Sequence, residues 1–431
     1  MASEIHWERN EDPVGIWEHR GKVALVGRGH SAQTDRRWDG VSMDKTLGAK
    51  VVEAARAAIE DAGISPDEVD GVVSSGGGQA WHISLGSQWG PLRDFFDPPY
   101  DTEDGLTYVT AEWVRRQMGL QNATYVNSHG ETLWNMMGLA AQVVGDGRCE
   151  VCLVTYPNGN IEGRYHQNPS LDAPGRNQWS YPYGWGLSLQ GYIFEQYARK
   201  YGTNHDRMAP FVVQEHANGL LWPYSYYAQH EPEPFTTEDY LNGRWIAQNL
   251  SIFDCDRPVQ AGAAYIVTTA ERAKDMKQKP VYILDHTESA FSPRSLVQTL
   301  DDTEEWTDTQ ARRSYAGSGL RPEDIDVFAP YDGFAVFTQY FLEAFGWRGV
   351  KRGDAHDFYA DDISLKGPNP LNSGGGNMGT GRMRTVFITD PMEQLQGRAG
   401  ERQVAIKAET AVTIGVLPIN AGALAFSTVP D

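Results

Sequence analysis

Thr124–Gly147 reads TYVNSHGETLWNMMGLAAQVVGDG, and its order of residue types predicts a strand, a tight turn and then a helix. Leu133, Trp134, Met136, Met137, Leu139, Ala140, Ala141, Val143 and Val144 leave that helix no wide polar face. A surface helix buries one stripe and solvates the rest, so a helix apolar all round belongs in the middle of a layered protein. Ser128 and Glu131 have the capping-box spacing, in which the hydroxyl accepts from a free N–H of the first turn and the carboxylate returns to the serine N–H. Free N–H groups at such a buried end also suit an anion or oxyanion. Chemistry is therefore expected in the cleft that this first turn faces.

Upstream, KVALVGRGHSA (22–32) predicts a strand leaving into a glycine-containing loop, and 44–63 predicts a helix closed by Gly63. A turn and a buried strand follow in ISPDEVDGVVSSGGG. The same order returns downstream: AGISPDEVDGVVSSGG (62–77) matches GSGLRPEDIDVFAPYDG (317–333), pairing Gly63 with Gly319, Pro66 with Pro322 and Asp70 with Asp326, all at an offset of 256. PVYILDHTESA at 280 resembles the stretch at 22, LNSGG at 371 resembles VNSHG at 126, and LPINAGALAFSTV at 417 resembles PVQAGAAYIVTTA at 258. Four matches in one order make the chain two copies of one α/β unit, each laying a mixed sheet against a central helix layer. The halves are 1–279 and 280–431, and the site is expected where they meet. Only the first half carries an insertion, at about 156–257, rich in aromatic residues as in WSYPYGWG (179–186) and LLWPYSYYAQH (220–230). Together with QAWHISLGSQWGPLRDFFDPPY (79–100), it suits either a bulky polycyclic or acyl ligand or a subunit interface.

The chain has 431 residues and a net charge of −20. That charge argues against nucleic-acid partners and anionic membrane surfaces, and it leaves a phosphate-bearing ligand dependent on a local positive patch or a partner subunit. No apolar run reaches the ~18 residues of a membrane span, and the charged N-terminal stretch does not resemble a signal peptide, so a cytoplasmic protein is expected. Cys149 and Cys152 form a C-x-x-C inside a predicted strand, where at ~3.3 Å per residue they would lie roughly 10 Å apart on opposite faces. The eleven histidines show no metal-ligand spacing, so no metal is expected.

The duplicated unit, its buried helix, PVQAGAAYIVTTAERA (258–273) and NPLNSGGG (369–376) resemble the thiolase superfamily, in its sterol-carrier and lipid-transfer branch. The resemblance spans nearly the whole chain and implies a five-layer αβαβα fold, a homodimer and acyl-CoA thioester substrates, with no cofactor on this chain. Three thiolase positions differ. The turn entering the central helix is Asn127-Ser128-His129-Gly130-Glu131, without the nucleophilic cysteine; SGGGNMGTGRM (373–383) lacks the family's histidine; and 419–423 lacks its second cysteine. The cysteine-lacking steroid side-chain aldolases of this branch are similar at Tyr331-Asp332-Gly333-Phe334. That likeness implies retro-aldol cleavage of a β-hydroxyacyl-CoA with Tyr331 as acid/base. No tyrosine lies between Gly367 and Met383, where the branch has a second one, and Arg382 stands near that place. The resemblance also implies a small OB-fold, zinc-ribbon partner in a heterotetramer.

Tyr331 needs a nearby cation or donor to act as a base, and Arg382 or His129 is the expected supplier. Gly130, Asn372, Gly375, Gly376, Asn377 and Gly422 are the expected oxyanion and CoA-loop residues, because backbone N–H groups along a glycine run can hold a thioester enolate. The same glycines also suit a tight turn. A non-catalytic acyl-CoA-binding scaffold is the alternative reading, and an acyltransferase using Ser128 is a third.

Overall fold

The computed structural model describes residues 15–35, 46–75, 109–128, 132–159, 187–288, 299–418 and 421–430. Their strands, and the helices of eight residues or more, are β1 (Val23–His30), α1 (Leu47–Ala62), β2 (Gly71–Ser74), α2 (Ala111–Met118), β3 (Tyr125–Ser128), α3 (Leu133–Gly145), β4 (Val151–Asn158), α4 (Leu187–Tyr201), α5 (Ala209–Leu220), β5 (Trp245–Ala247), β6 (Leu250–Ser251), β7 (Ala261–Thr269), β8 (Val281–Thr287), α6 (Leu300–Ser318), β9 (Val327–Pro330), α7 (Ala335–Phe345), α8 (Val386–Gln396), β10 (Thr410–Gly415) and β11 (Gly422–Ser427). Nine strands form one mixed sheet in the order β3-β2-β4-β7-β1-β8-β11-β10-β9, apart from the β5-β6 hairpin. At its middle, β1 and β8 pair antiparallel through Ala24–Tyr282 and Leu25–Val281.

Local devices recur at the repeat offset. Gly63 (φ 75°) and Gly319 (φ 72°) close α1 and α6 in the left-handed conformation that glycine adopts at little cost. Pro66–Glu68 and Pro322–Asp324 are matching 3₁₀ turns. The Asp70 carboxylate accepts from the N–H groups of Glu150 and Val151, and Asp326 does the same for Glu409 and Thr410. Each aspartate thus clips the start of the neighbouring parallel strand. The pair Val72–Val126 in β2 and β3 also has a counterpart, a parallel bridge between Phe328 and Leu371.

α1 packs Val51, Ala54, Ala55 and Ala58 against one face of β1 and β7. α3 covers the opposite face, where Leu133, Met136 and Met137 are fully buried, each contributing ~1.5–3 kcal/mol of apolar burial. α8 lies beside it, with the Trp134 and Phe387 rings 5.9 Å apart. It is buried along its whole length although it carries Asp390 and Glu393, which pair with Arg402 and, for Glu393, also with Arg28 at 2.6 Å.

Four expectations are corrected. The glycines expected in a loop after β1 lie within it: a Cβ at Gly27 would come 2.5 Å from the Ala58 carbonyl and one at Gly29 2.0 Å from that of Ala54, so they allow α1 to close on the strand. The cap of α3 is Thr132, which accepts from the Asn135 N–H; Ser128 ends β3 and accepts from the Ala111 N–H at 2.8 Å, so it is not the cap of the helix, and Glu131 lies outside the described residues. Cys149 precedes β4 instead of lying in it, and both thiols meet over Gly71, where a Cβ would lie 2.6 Å from Cys149 Sγ and 3.4 Å from Cys152 Sγ. The aromatic stretch 220–230 packs within the chain: Trp222 is fully buried, Tyr224 stacks on His30 at 4.7 Å, and Arg257 sits over Tyr226 and Tyr227. The stretches 79–100 and 179–186 lie outside the described residues, and among those described no helix is long and apolar enough to cross a membrane.

Candidate active site

β9 ends at Pro330, and Tyr331 continues the pairing by donating its N–H to the Ile414 carbonyl at 2.8 Å. Its ring is caged edge-on by Trp134 at 6.0 Å and flanked by Phe387 at 5.5 Å and Phe337 at 6.4 Å. The first turn of the apolar central helix therefore does reach the tyrosine. The phenol folds back over Gly333, where a Cβ would lie 2.4 Å from both the hydroxyl and Cε1. That explains the glycine of Tyr-Asp-Gly-Phe, since any side chain there would displace the ring. Burial is the largest influence on the hydroxyl and pushes its pKa up to about 12; Asp256 adds to the rise, while Arg384 and Arg382 pull the other way.

Arg384, and not Arg382, is the direct partner. It sits at φ 57°, and its N–H donates to Asn377 Oδ1 at 2.9 Å, which turns the side chain inward. Nη1 donates to the Tyr156 hydroxyl at 3.2 Å, and the charge of the same guanidinium acts on Tyr331. Loss of water alone would lower the Arg384 pKa, but the two phenols raise it overall. Arg382 is buried; its N–H donates to the Arg257 carbonyl at 2.7 Å, its carbonyl accepts from Asn158 at 2.6 Å, and its charge acts on Tyr331 less strongly than that of Arg384.

The glycine run is shaped by packing. Gly375 (φ 89°) would place a Cβ 2.4 Å from the Gly219 nitrogen, and Gly379 one 1.9 Å from the Glu215 carbonyl, so the loop lies backbone to backbone against α5. At Gly376 a Cβ would fall 2.0 Å from Asp332 Oδ2 and 2.5 Å from Glu215 Oε2. Asp332 accepts from the N–H groups of Asn377 at 2.7 Å and Met378 at 3.1 Å. Those two donors are thereby occupied. The Asn377 amide also donates to Asp256 at 3.2 Å. Asn372 (φ 44°) donates its side-chain amide to the Pro330 carbonyl and accepts at its own carbonyl from Gly375, fixing the loop to the end of β9. Gly422 pairs with Gly415 at the start of β11. His129 and Gly130 lie outside the described residues.

Beneath the loop, Glu215 of α5 and Asp332 form a wholly buried carboxyl pair. Burial first and the neighbouring Asp332 carboxylate second push the Glu215 pKa well up, which favours the protonated carboxyl beside Asp332. Burial raises Asp332 to about 7, opposed by the Met378 and Asn377 N–H groups and assisted by Asp256. Sequence reasoning missed Arg384, Tyr156, Glu215 and Asp256. The Gly-Arg-Met-Arg run of 381–384 contained the signal for a second arginine, whereas Tyr156 and Glu215 reach the site only through long-range packing. The described residues whose His and carboxylate atoms approach one another as metal ligands would are Glu18, His19 and Asp146, a surface group beside Gln142, toward the end of α3 away from Trp134.

Residues 289–426 match the family model for the thiolase C-terminal domain-like family. The chain is 30% identical over 424 residues to 17-hydroxy-3-oxo-4-pregnene-20-carboxyl-CoA lyase of Mycobacterium tuberculosis, covering 91% of this chain and 97% of that protein. It is 25% identical over 346 residues to a steroid side-chain-cleaving aldolase of Thermomonospora curvata, covering 76% and 79%. The solved Ltp2-ChsH2(DUF35) aldolase superposes with a TM-score of 0.72 at 22% identity, covering 95% of this chain and 98% of that one. The chain belongs to the thiolase superfamily. Within it, it belongs with the steroid side-chain-cleaving aldolases, which are carbon–carbon lyases.

Proposed function

We propose that this chain cleaves the β-hydroxyacyl side chain of a steroid CoA thioester by a retro-aldol reaction. The observation that carries the reading is the Tyr331 phenol, caged by aromatic rings and held against the Arg384 guanidinium where β9 ends. The substrate hydroxyl gives its proton to the Tyr331 phenolate. As its carbon becomes the ketone, the Cα–Cβ electron pair flows into the thioester as an enolate. Protonation at Cα then releases acyl-CoA, and no covalent intermediate is required. Because burial dominates the tyrosine, its phenolate is a minor form at neutral pH, and Arg384 and Arg382 are the charges that stabilise it. The same cations suit the enolate oxygen.

We place the boundary between the halves at 279/280 and assign the chain to a cytoplasmic homodimer that binds a small OB-fold, zinc-ribbon protein. A net charge of −20 supports such a partner, which would supply positive charge for CoA. One observation favours the scaffold reading instead: Asp332 occupies the Asn377 and Met378 N–H groups expected to hold an oxyanion. The two readings separate when the chain, copurified with its partner, is given steroid β-hydroxyacyl-CoA thioesters and the free ketone is followed by chromatography. Ketone release supports the aldolase; no turnover across several substrates with the partner present supports the scaffold.

A further inference from the structure

Along 372–384 the backbone turns left-handed at Asn372, Gly375, Gly376, Gly381 and Arg384. Glycine enters that region freely and asparagine tolerates it, whereas a long side chain such as that of Arg384 needs support there. The support is Asn377, which is wholly buried and has every polar group engaged. Its Oδ1 accepts from the Arg384 N–H at 2.9 Å, its side-chain amide donates to Asp256 at 3.2 Å, its N–H donates to Asp332 at 2.7 Å, and its carbonyl accepts from the Gly381 N–H at 2.9 Å. An amide turned end for end would present donors to the Arg384 N–H, so the Asp256 carboxylate decides which end Arg384 meets. Asp256 is tied in turn to the motif of Tyr331, donating its N–H to the Gly333 carbonyl at 3.3 Å. It comes from the segment after β6, at the end of the insertion that only the first half carries.

We propose that Asn377 is a positioning residue for the reaction, which acts through Arg384 by holding the backbone turn that aims the guanidinium into the site. The inference rests on the retro-aldol reading and deepens it. The chain of contacts is continuous: Asp256 and Asp332 orient Asn377, Asn377 fixes the Arg384 backbone, and the Arg384 charge acts on Tyr331. Sequence placed Asn377 among the oxyanion donors, but its N–H and its side-chain amide both end on carboxylates. Without Oδ1, Arg384 relaxes toward the ordinary backbone region and its guanidinium withdraws from the phenol. The loss is felt as the phenolate and enolate form, so it falls on kcat and not on KM.

A double-mutant cycle separates this role from simple support of the loop. Glycine is unstrained at the φ of 57° found at Arg384, so Arg384→Gly removes the guanidinium without stressing the turn. Ketone release from a steroid β-hydroxyacyl-CoA is measured for wild type, Asn377→Ala, Arg384→Gly and the double variant, each with its partner bound. Asn377→Ala is expected to lower kcat by ~10²-fold, the worth of a misplaced group, with KM kept within about threefold. In the Arg384→Gly background the same change should cost less than about threefold in kcat. If the thermal transition shows that Asn377→Ala does not fold, Asn377→Ser takes its place in the cycle. Losses that multiply in the double variant, a raised KM with kcat unchanged, or wild-type kcat in Arg384→Gly overturns the role of Asn377. Wild-type protein that releases no ketone refutes the retro-aldol reading, and this role with it.

Discussion

Replacing Glu215 with Gln is expected to stabilise the protein at neutral pH and to leave its stability near pH 4 almost unchanged. Glu215 is wholly enclosed, and burial, reinforced by Asp332, holds its pKa well above the carboxylate value of 4.5. In the unfolded chain the carboxyl ionises near its ordinary value. Above that pH the folded state holds a proton that the unfolded state has released, so stability falls as pH rises until the buried group itself ionises. One such carboxyl costs ~1.4 kcal/mol per pH unit. Asp332, raised to about 7, adds a slope of the same sign below that pH. Glutamine has nearly the same shape and still offers a donor to Asp332, so it removes the Glu215 contribution and keeps the packing against Gly375 and Gly379. Two units above the onset, the variant should lead by ~3 kcal/mol. Urea unfolding of wild type and variant between pH 4.5 and 8, at one protein concentration, measures this. Parallel stability curves, or a variant less stable than wild type at pH 7, would refute the neutral Glu215.

Gly333→Ala puts a methyl 2.4 Å from the Tyr331 hydroxyl, so kcat should fall by ~10²–10⁴, the worth of a displaced acid/base, and the overpacked ring should cost ~1–3 kcal/mol of stability; near-normal kcat in the folded variant would place the working group elsewhere. Asp326→Ala strands the Glu409 and Thr410 N–H groups and should cost ~1–3 kcal/mol; denaturant titration should show Asp70→Ala costing a similar amount, since it does the same work in the other half. With Tyr331 at about 12, log kcat/KM should climb with pH at a slope near one and show no plateau below about pH 10; a plateau near 7 would point to a different base.

The apolar helix was legible because its burial is written into consecutive residues, and the duplication because Gly63 and Gly319 or Asp70 and Asp326 meet identical backbone demands. The Tyr-Asp-Gly-Phe motif singled out Tyr331, and its position just beyond β9 followed from the buried VFAP strand before it. The identity of its cation was not legible: Arg382 and Arg384 lie two residues apart, and the positive φ at Arg384 decides which guanidinium faces Tyr156 and Tyr331. The glycine run suggested an anion cradle because sequence shows the missing Cβ atoms but not what fills their space, which is α5 and the Glu215–Asp332 pair. Ser128 and Thr132 are both good caps, and the hydrogen bond from Ala111 that keeps Ser128 in the strand comes from a distant segment.

Ketone release from a steroid β-hydroxyacyl-CoA by wild-type chain and by Tyr331→Phe, each with its partner bound, tests the assignment of the catalytic group most directly. Turnover by wild type that falls at least ~10²-fold in the phenylalanine variant is expected of an acid/base at this position. Turnover retained in Tyr331→Phe would contradict it.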